Sequence, residues 1–189
     1  SDERTLGVDP ARLETYLSRI GELKNGFCFN RDTKRRIRAL VAVHAFGHPA
    51  DLDSLERVCR RFQVEMIEDA AESLGSFYKG RHTGHWGKFA VLSFNGNKIV
   101  TTGGGGAILT NDEELGRLAR HRFTTARLPH PWAFLHDQVG YNYRMPNLNA
   151  ALGLAQLEAL PGFLANKRKL AERYEKALGG ISGIRFFKE

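Results

Sequence analysis

Apolar positions along this chain switch between helical spacing and short unbroken runs. After Asp9-Pro10, residues Leu13, Leu17 and Ile20 fall on one face of a helix. Asp9 is placed to cap that helix, and a proline at the first helical position costs little because its missing N–H has no partner there. Ala39-Leu40-Val41-Ala42-Val43 is a continuous apolar run, the pattern of a strand buried on both faces. From about Asp51 the spacing is helical again, with Leu52, Leu55, Cys59 and Phe62 as the stripe. Val64 to Ile67, Lys88 to Phe94 and Ala107 to Thr110 read as three further strands. Asn111 is expected to cap the next helix, with Asp112, Glu113 and Glu114 favourable at its positive end. Strands and helices alternating in this way predict βαβ units and a mostly parallel sheet flanked by helices, an α/β fold.

From His121 to Pro146 the periodicity is lost. Three prolines, Trp132 and several histidines lie there, and so long a loop in a compact domain is usually functional. Helical spacing resumes from about Asn149 to Leu178, with a break expected near Pro161-Gly162. After Gly179-Gly180, Ile184 to Phe187 reads as the first strand of another unit. The chain thus divides into an α/β unit (1–120), a loop (121–146), long helices (147–178) and the start of a further domain (179–189).

With 189 residues, 42% of them hydrophobic, the chain can build one globular core. No apolar run is long enough to span a membrane, and Ser1-Asp2-Glu3-Arg4 does not open a signal peptide. Cys28 and Cys59 show no CxxC spacing and no paired histidines, so they are expected to be reduced thiols of a cytoplasmic protein, with no metal site. The net charge of +7 raises nucleic acid as a partner. Its basic residues are scattered over Arg31 to Arg38, Arg117 to Arg127 and Lys167 to Lys176 without interleaved aromatics, so the expectation is no nucleic acid and a smaller anionic ligand at most.

Against this background Lys98 needs an explanation. It ends Ser93-Phe94-Asn95-Gly96-Asn97-Lys98, after the apolar Phe89-Ala90-Val91-Leu92 and before Ile99-Val100. A lysine held in an apolar pocket can lose its proton and act as a nucleophilic amine; the alternative is a solvated loop lysine. Asp69, in Glu68-Asp69-Ala70-Ala71-Glu72, follows a strand, where α/β sheets bind ligands. A carboxylate there can hold the proton on a pyridine nitrogen, or it can cap a turn. The hydroxyl of Ser93 can donate to a phosphate or satisfy backbone groups. Gly103 to Gly106 permit close backbone approach or a tight turn. Asn142 and Arg144, between and after two tyrosines in Gly140-Tyr141-Asn142-Tyr143-Arg144-Met145-Pro146, can serve an anionic group or lead into a helix. The small residues of Asn149-Ala150-Ala151-Leu152-Gly153 point to close helix packing, within the chain or across a subunit interface.

These segments, with His44-Ala45-Phe46-Gly47-His48-Pro49-Ala50-Asp51 and Thr101-Thr102-Gly103-Gly104-Gly105-Gly106, occur in one order along essentially the whole chain. As a set they resemble the DegT/DnrJ/EryC1/StrS family of PLP-dependent nucleotide-sugar aminotransferases. Leu128-Pro129-His130-Pro131-Trp132 followed by Gly140 to Leu148 is most similar to the legionaminic-acid-pathway branch. The resemblance implies part of the large domain of a fold type I, aspartate-aminotransferase-like enzyme. It implies that Lys98 bonds covalently to pyridoxal 5′-phosphate, that Asp69 pairs with the pyridine nitrogen, and that Ser93 contacts the phosphate. Glu72 takes a position often filled by glutamine or histidine, near the ring hydroxyl and the substrate. Asn142 reaches the phosphate of a cofactor held mainly by the neighbouring subunit, so a homodimer is implied.

The implied reaction moves an amino group from L-glutamate to a keto group of a nucleotide-linked deoxy sugar, at C4 of a UDP-linked 4-keto-6-deoxy sugar by the branch resemblance. Two departures stand out. The residues before the first strand hold no Gly-Thr phosphate-binding turn, and the 189 residues stop short of a C-terminal small domain, so a segment of a longer protein is expected. The rival within the fold is a PLP-dependent sugar dehydratase, whose members carry histidine in place of Lys98; the rival outside it is a non-catalytic protein of the same fold. Trp86, His130, Trp132 and His136 are candidates either for the sugar site or for packing.

Overall fold

The computed structural model describes residues 1–188. Helix α1 (Pro10–Ile20) starts as expected, with the Asp9 carboxylate accepting from the amides of Ala11 and Arg12 at 2.9 and 3.0 Å. Three short antiparallel strands follow, β1 (Gly21–Lys24), β2 (Phe27–Asn30) and β3 (Arg36–Ile37), which the apolar pattern did not announce. Their signal is Asn25-Gly26, both left-handed with φ of 52° and 75°, as a two-residue hairpin turn requires.

The main sheet is built from β4 (Ala39–Val43), β5 (Glu65–Asp69), β8 (Phe89–Ser93) and β9 (Gly106–Leu109), in that order, with α2 (Leu52–Arg61) crossing from β4 to β5. Between β5 and β8 lies a small hairpin of β6 (Phe77–Tyr78) and β7 (Arg81–His82). Strands β4, β5 and β8 are parallel, as expected; β9 runs antiparallel to β8, with Ser93 opposite Gly106. The 94–105 connection contains no helix to carry the chain back to the far end of the sheet, so β9 returns antiparallel.

Asp51 caps α2, whose stripe Leu52, Leu55, Val58 and Cys59 is buried against Ala42, Ala50 and Met66 on one side and Leu17, Cys28 and Phe62 on the other. Both cysteines are buried free thiols. Burial, with Glu56 and Glu65 nearby, pushes Cys59 up to about 11. The expectation that β4 is buried on both faces is corrected: Ala42 is fully buried, but Val41 and Val43 stay 51% and 45% exposed. α1 and α2 shield one face of the strand, and side chains alternate across it.

Helix α3 (Glu113–Phe123) is capped by Asp112, which accepts from the Leu115 amide at 3.0 Å, and not by Asn111, whose side chain turns to the His85 carbonyl. Helix α4 (Asn147–Leu178) runs 32 residues straight through Pro161, so the break expected there is absent. Pro161 lies on the exposed side, and intact turns on both sides hold the helix across the one lost hydrogen bond. By length and composition alone α4 is apolar enough to cross a membrane, which corrects the reading that no such stretch exists. Its inner face is nevertheless docked on the α/β unit. Asn149 Nδ2 donates to the Thr102 carbonyl at 2.6 Å, and the Thr101 amide donates to Gln156 at 3.2 Å. Gly153 is packed so tightly that a Cβ there would lie 2.8 Å from the Thr102 methyl. Ile184–Phe187 is irregular, not a strand; Phe187 instead packs on the His48 ring at 5.8 Å. Glu189 lies outside the described residues.

At the carboxyl end of the parallel strands sits a fully buried carboxylate, Glu68. One oxygen accepts from His44 Nε2 (3.0 Å) and the Gly84 amide (2.7 Å); the other accepts from the amides of Trp86 and Gly87, both at 2.7 Å. The Ala50 amide donates to His44 Nδ1 at 3.2 Å, which leaves Nε2 as the protonated nitrogen of a neutral imidazole. Burial alone would raise the pKa of Glu68; the hydrogen bond from His44 and those from the amides of Gly87, Gly84 and Trp86 reverse this and hold it below its ordinary 4.5.

Two consequences can be measured on the full-length protein. Glutamine at position 68 must turn its NH2 toward two of the four donors, each worth about 1–3 kcal/mol when left unpaired. Glu68→Gln should therefore lose at least about 2 kcal/mol in denaturant unfolding at pH 7. Because the folded pKa is depressed, the carboxylate's contribution is complete above about 4.5 and drains as pH falls through the lower folded value; the gap between wild type and variant should close in that acid range. Pro161→Ala restores an N–H to an exposed helix interior and should stabilise by roughly 1–3 kcal/mol, read as a higher Tm.

Candidate functional site

Asp69 ends β5 opposite Val43 and Val91, and its main chain is tied on both sides. The His44 amide donates to its carbonyl at 3.1 Å, and the next amide, Ala70, donates to Val91 at 3.0 Å. Glu68 points into the core, so Asp69 must point to the opposite face. Ser93, two residues beyond Val91 on the adjacent strand, shares that face by register. Asp69 Oδ1 accepts from the Ala71 amide at 3.1 Å, a turn contact that leaves the second oxygen for a ligand. Ser93 Oγ accepts from the Asn95 amide at 3.3 Å and retains its own proton to donate. Both side chains thus do the local capping foreseen for them and keep capacity to spare.

Lys98 follows β8, its amide bonded to the Asn95 carbonyl at 3.0 Å. Its side chain is only 17% exposed, so it is not a solvated loop lysine. The surroundings are not purely apolar either: Nζ lies 3.4 Å from Glu72 Oε1. This is the one direct contact among the five candidate residues that the structure records. The other Glu72 oxygen accepts from the Phe46 amide at 2.9 Å. Phe46 sits in a single 3-10 turn, Ala45–Gly47, with left-handed φ of 54°. That conformation costs a non-glycine residue on the order of 1–3 kcal/mol. Gly47 follows with φ of 83°, and a Cβ there would lie 2.9 Å from the Glu72 carbonyl. Glu72 therefore holds the 45–47 turn and the lysine with one carboxylate.

Asn142 stands apart from this group. It is exposed, and its backbone bridges to Thr124. Arg144 lines a cleft of about 1260 Å³ between β9, α3 and residues 143–149, which includes Arg117 and Arg120 but none of Lys98, Asp69, Glu72 and Ser93. Trp86 packs edge-on against Tyr78 at 5.3 Å, beside the Glu68 network. His130 Nδ1 accepts from the amides of Trp132 and Ala133, and His136 Nδ1 bonds the Thr125 carbonyl, so both order the 121–146 segment locally. Trp132 is almost fully exposed. Among the described residues no cluster of metal-ligating side chains occurs.

Sequence reasoning did not foresee His44, Glu68 and Phe46 as parts of the site. His44 and Glu68 were visible as motif members, but nothing in one dimension pairs residues 24 positions apart. Phe46 carried one signal, the glycine after it, which marks a left-handed turn.

The chain is 43% identical over 152 residues to EpsN of Bacillus subtilis (strain 168), named as a candidate pyridoxal phosphate-dependent aminotransferase; the match covers 80% of this chain and 39% of that protein. It is 40% identical over 146 residues to GDP-perosamine synthase of Escherichia coli O157:H7, covering 77% and 40%. Its backbone superposes on Helicobacter pylori PseC, an aminotransferase of pseudoaminic acid biosynthesis, with a TM-score of 0.81 at 25% identity, over 96% of this chain and 45% of that one. The chain spans about two fifths of the length of these curated relatives. The fold expected from sequence, an α/β unit of the fold type I kind, is the fold these enzymes share. A profile of the DegT/DnrJ/EryC1/StrS aminotransferases matches residues 29–188, and the chain belongs to that family.

Proposed function

We propose that this protein is a PLP-dependent aminotransferase that moves an amino group from L-glutamate to the keto group of a nucleotide-linked keto-deoxy sugar, in the synthesis of cell-surface glycan sugars. The observation that carries this reading is the shielded amine of Lys98, held by Glu72 at the same sheet edge as the spare oxygen of Asp69 and the hydroxyl of Ser93. A donor, an acceptor and a nucleophile at the carboxyl ends of parallel strands fit a flat, phosphorylated pyridine, and the small side chains of Ala70 and Ala71 leave room for its ring.

Bound there, pyridoxal 5′-phosphate supplies an aldehyde carbon and an electron sink. Asp69 would keep a proton on the ring nitrogen, Ser93 Oγ would donate to the phosphate, and Glu72 would lie near the ring hydroxyl. Lys98 Nζ is the group that would hold the aldehyde carbon, and as a free amine it would move the proton at Cα of the amino acid and, in the opposite sense, at the sugar carbon. A mobile base of this kind contributes about 10²–10⁴-fold.

Asn142 would reach the cofactor of a second subunit. Support for a homodimer comes from the exposed apolar Trp132, Val139, Leu148 and Leu154 on the 121–146 segment and α4, a surface that a second copy would bury. C4 of a 4-keto-6-deoxy sugar is the acceptor carbon in this reading. GDP, as in the E. coli relative's name, and UDP, from the legionaminic-type wording, are the carriers to compare. The division into 1–120, 121–146, 147–178 and 179–189 and a cytoplasmic location belong to the same proposal.

The first test is borohydride reduction of the full-length protein with PLP, followed by peptide mass spectrometry. A pyridoxyl group should appear on the peptide containing Lys98 and be absent in Lys98→Ala, which should also lose multiple-turnover transamination; turnover by that variant would refute the assignment. The second test mixes two weak variants. If Asn142 acts across the interface, Lys98→Ala and Asn142→Ala subunits exchanged into mixed dimers should recover about a quarter of wild-type sites, since half the dimers are mixed and one site in each is intact. No recovery would place Asn142 outside the partner's site.

A further inference from the structure

Phe46 is the aromatic residue among the eight non-glycine residues with left-handed φ in the described chain. Its side chain is 80% exposed although it is a large apolar group. Its backbone is left-handed, a conformation a side-chain-bearing residue rarely adopts. Three contacts hold it there. His44 bonds both Glu68 and the Ala50 amide, closing residues 44–50 into a loop across its own base. Glu72 accepts the Phe46 amide. Gly47 takes the tight approach to the Glu72 carbonyl that a Cβ would block. His48, two residues on, is half-buried and packs beside the Phe187 ring at 5.8 Å, whereas Phe46 stays exposed. Strain kept in place by several independent contacts marks a position selected for what it presents.

What Phe46 faces follows from Glu72. The carboxylate that fixes the Phe46 amide also holds Lys98 Nζ, so the Phe46 main chain lies one side chain away from the amine and its exposed ring projects from that point. We propose that Phe46 is a substrate-contact residue, the surface on which the sugar ring of the amine acceptor lies beside Lys98. This rests on the aminotransferase reading. The reacting ring has to be the part of the acceptor nearest Lys98, and the apolar face of a pyranose suits an aromatic ring, as aromatic walls suit most ligand pockets. Glutamate offers no such face, so the contact separates the two substrates.

The test uses the full-length holoenzyme. GDP-, UDP- and dTDP-linked 4-amino-4,6-dideoxyhexoses are titrated by calorimetry, and the one that binds wild type most tightly is the probe, with its free nucleoside diphosphate as the control. Phe46→Ala and Phe46→Gly should bind the amino-sugar nucleotide roughly five- to tenfold more weakly, a loss of the size aromatic contacts give. The nucleoside diphosphate should lose less than about twofold, and KM for glutamate should change less than KM for the keto sugar. Phe46→Tyr should restore binding. Phe46→Gly relieves the left-handed strain and should keep or raise Tm, whereas a packing role would lower it. Equal losses for sugar nucleotide and free diphosphate would move the contact to the base and overturn the assignment, as would unchanged affinity in both variants. If none of the sugar nucleotides binds wild type while glutamate is still deaminated, the sugar acceptor itself is wrong, a separate failure.

Discussion

A carboxylate with no water around it must be met by donors, and Glu68 is met by four. They come from two separate loops. His44 follows β4 and begins the loop that carries Phe46; the amides of Gly84, Trp86 and Gly87 belong to the connection that enters β8 and so leads to Ser93 and Lys98. Buried charge of this kind adds little net stability compared with an apolar core. What it adds is uniqueness, because only one arrangement of two loops and a strand satisfies both oxygens. The loops around the site have no helix or sheet ladder of their own to order them, and Glu68 takes that role.

Burial on one side of the sheet makes the other side available. Since side chains alternate, placing Glu68 in the core sends Asp69 outward, where Ser93 joins it on the same face. The helices α1 and α2 close the inner face, with Cys59 and its neighbours excluded from water, while the outward face keeps Val41 and Val43 half exposed and leaves its carboxyl edge open for a ligand. Glu72 then joins the two loops that matter, holding Lys98 with one oxygen and the strained Phe46 turn with the other. Strain and pairing here share one carboxylate, so neither can relax without disturbing the other.

The helix α4 shows the same economy at lower cost. Its polar residues Asn149 and Gln156 and its one buried glycine face the 101–106 loop, while most of its leucines face outward. Composition by itself made the helix look like two pieces, and hydropathy by itself makes it look like a membrane span. The hydrogen bonds to Thr101 and Thr102 dock one face on the α/β unit, and the other face is exposed.

Where an element's own residues decide its conformation, the sequence was a sufficient guide. The cap at Asp9, the stripe of α2 and the three parallel strands all follow from local spacing and from side-chain type. The order of the motifs also carries the family resemblance. Distant pairing was out of reach. Nothing local distinguishes Asp112 from Asn111 as a cap until the His85 carbonyl claims Asn111, and nothing local says that Pro161 can ride inside a helix or that β9 must return antiparallel. Likewise Glu68 and His44 are ordinary polar residues in one dimension. Their pairing, the half-exposed face of β4, and the position of Phe46 were decided only by tertiary structure, because each depends on a buried group finding partners that the chain brings back from far away.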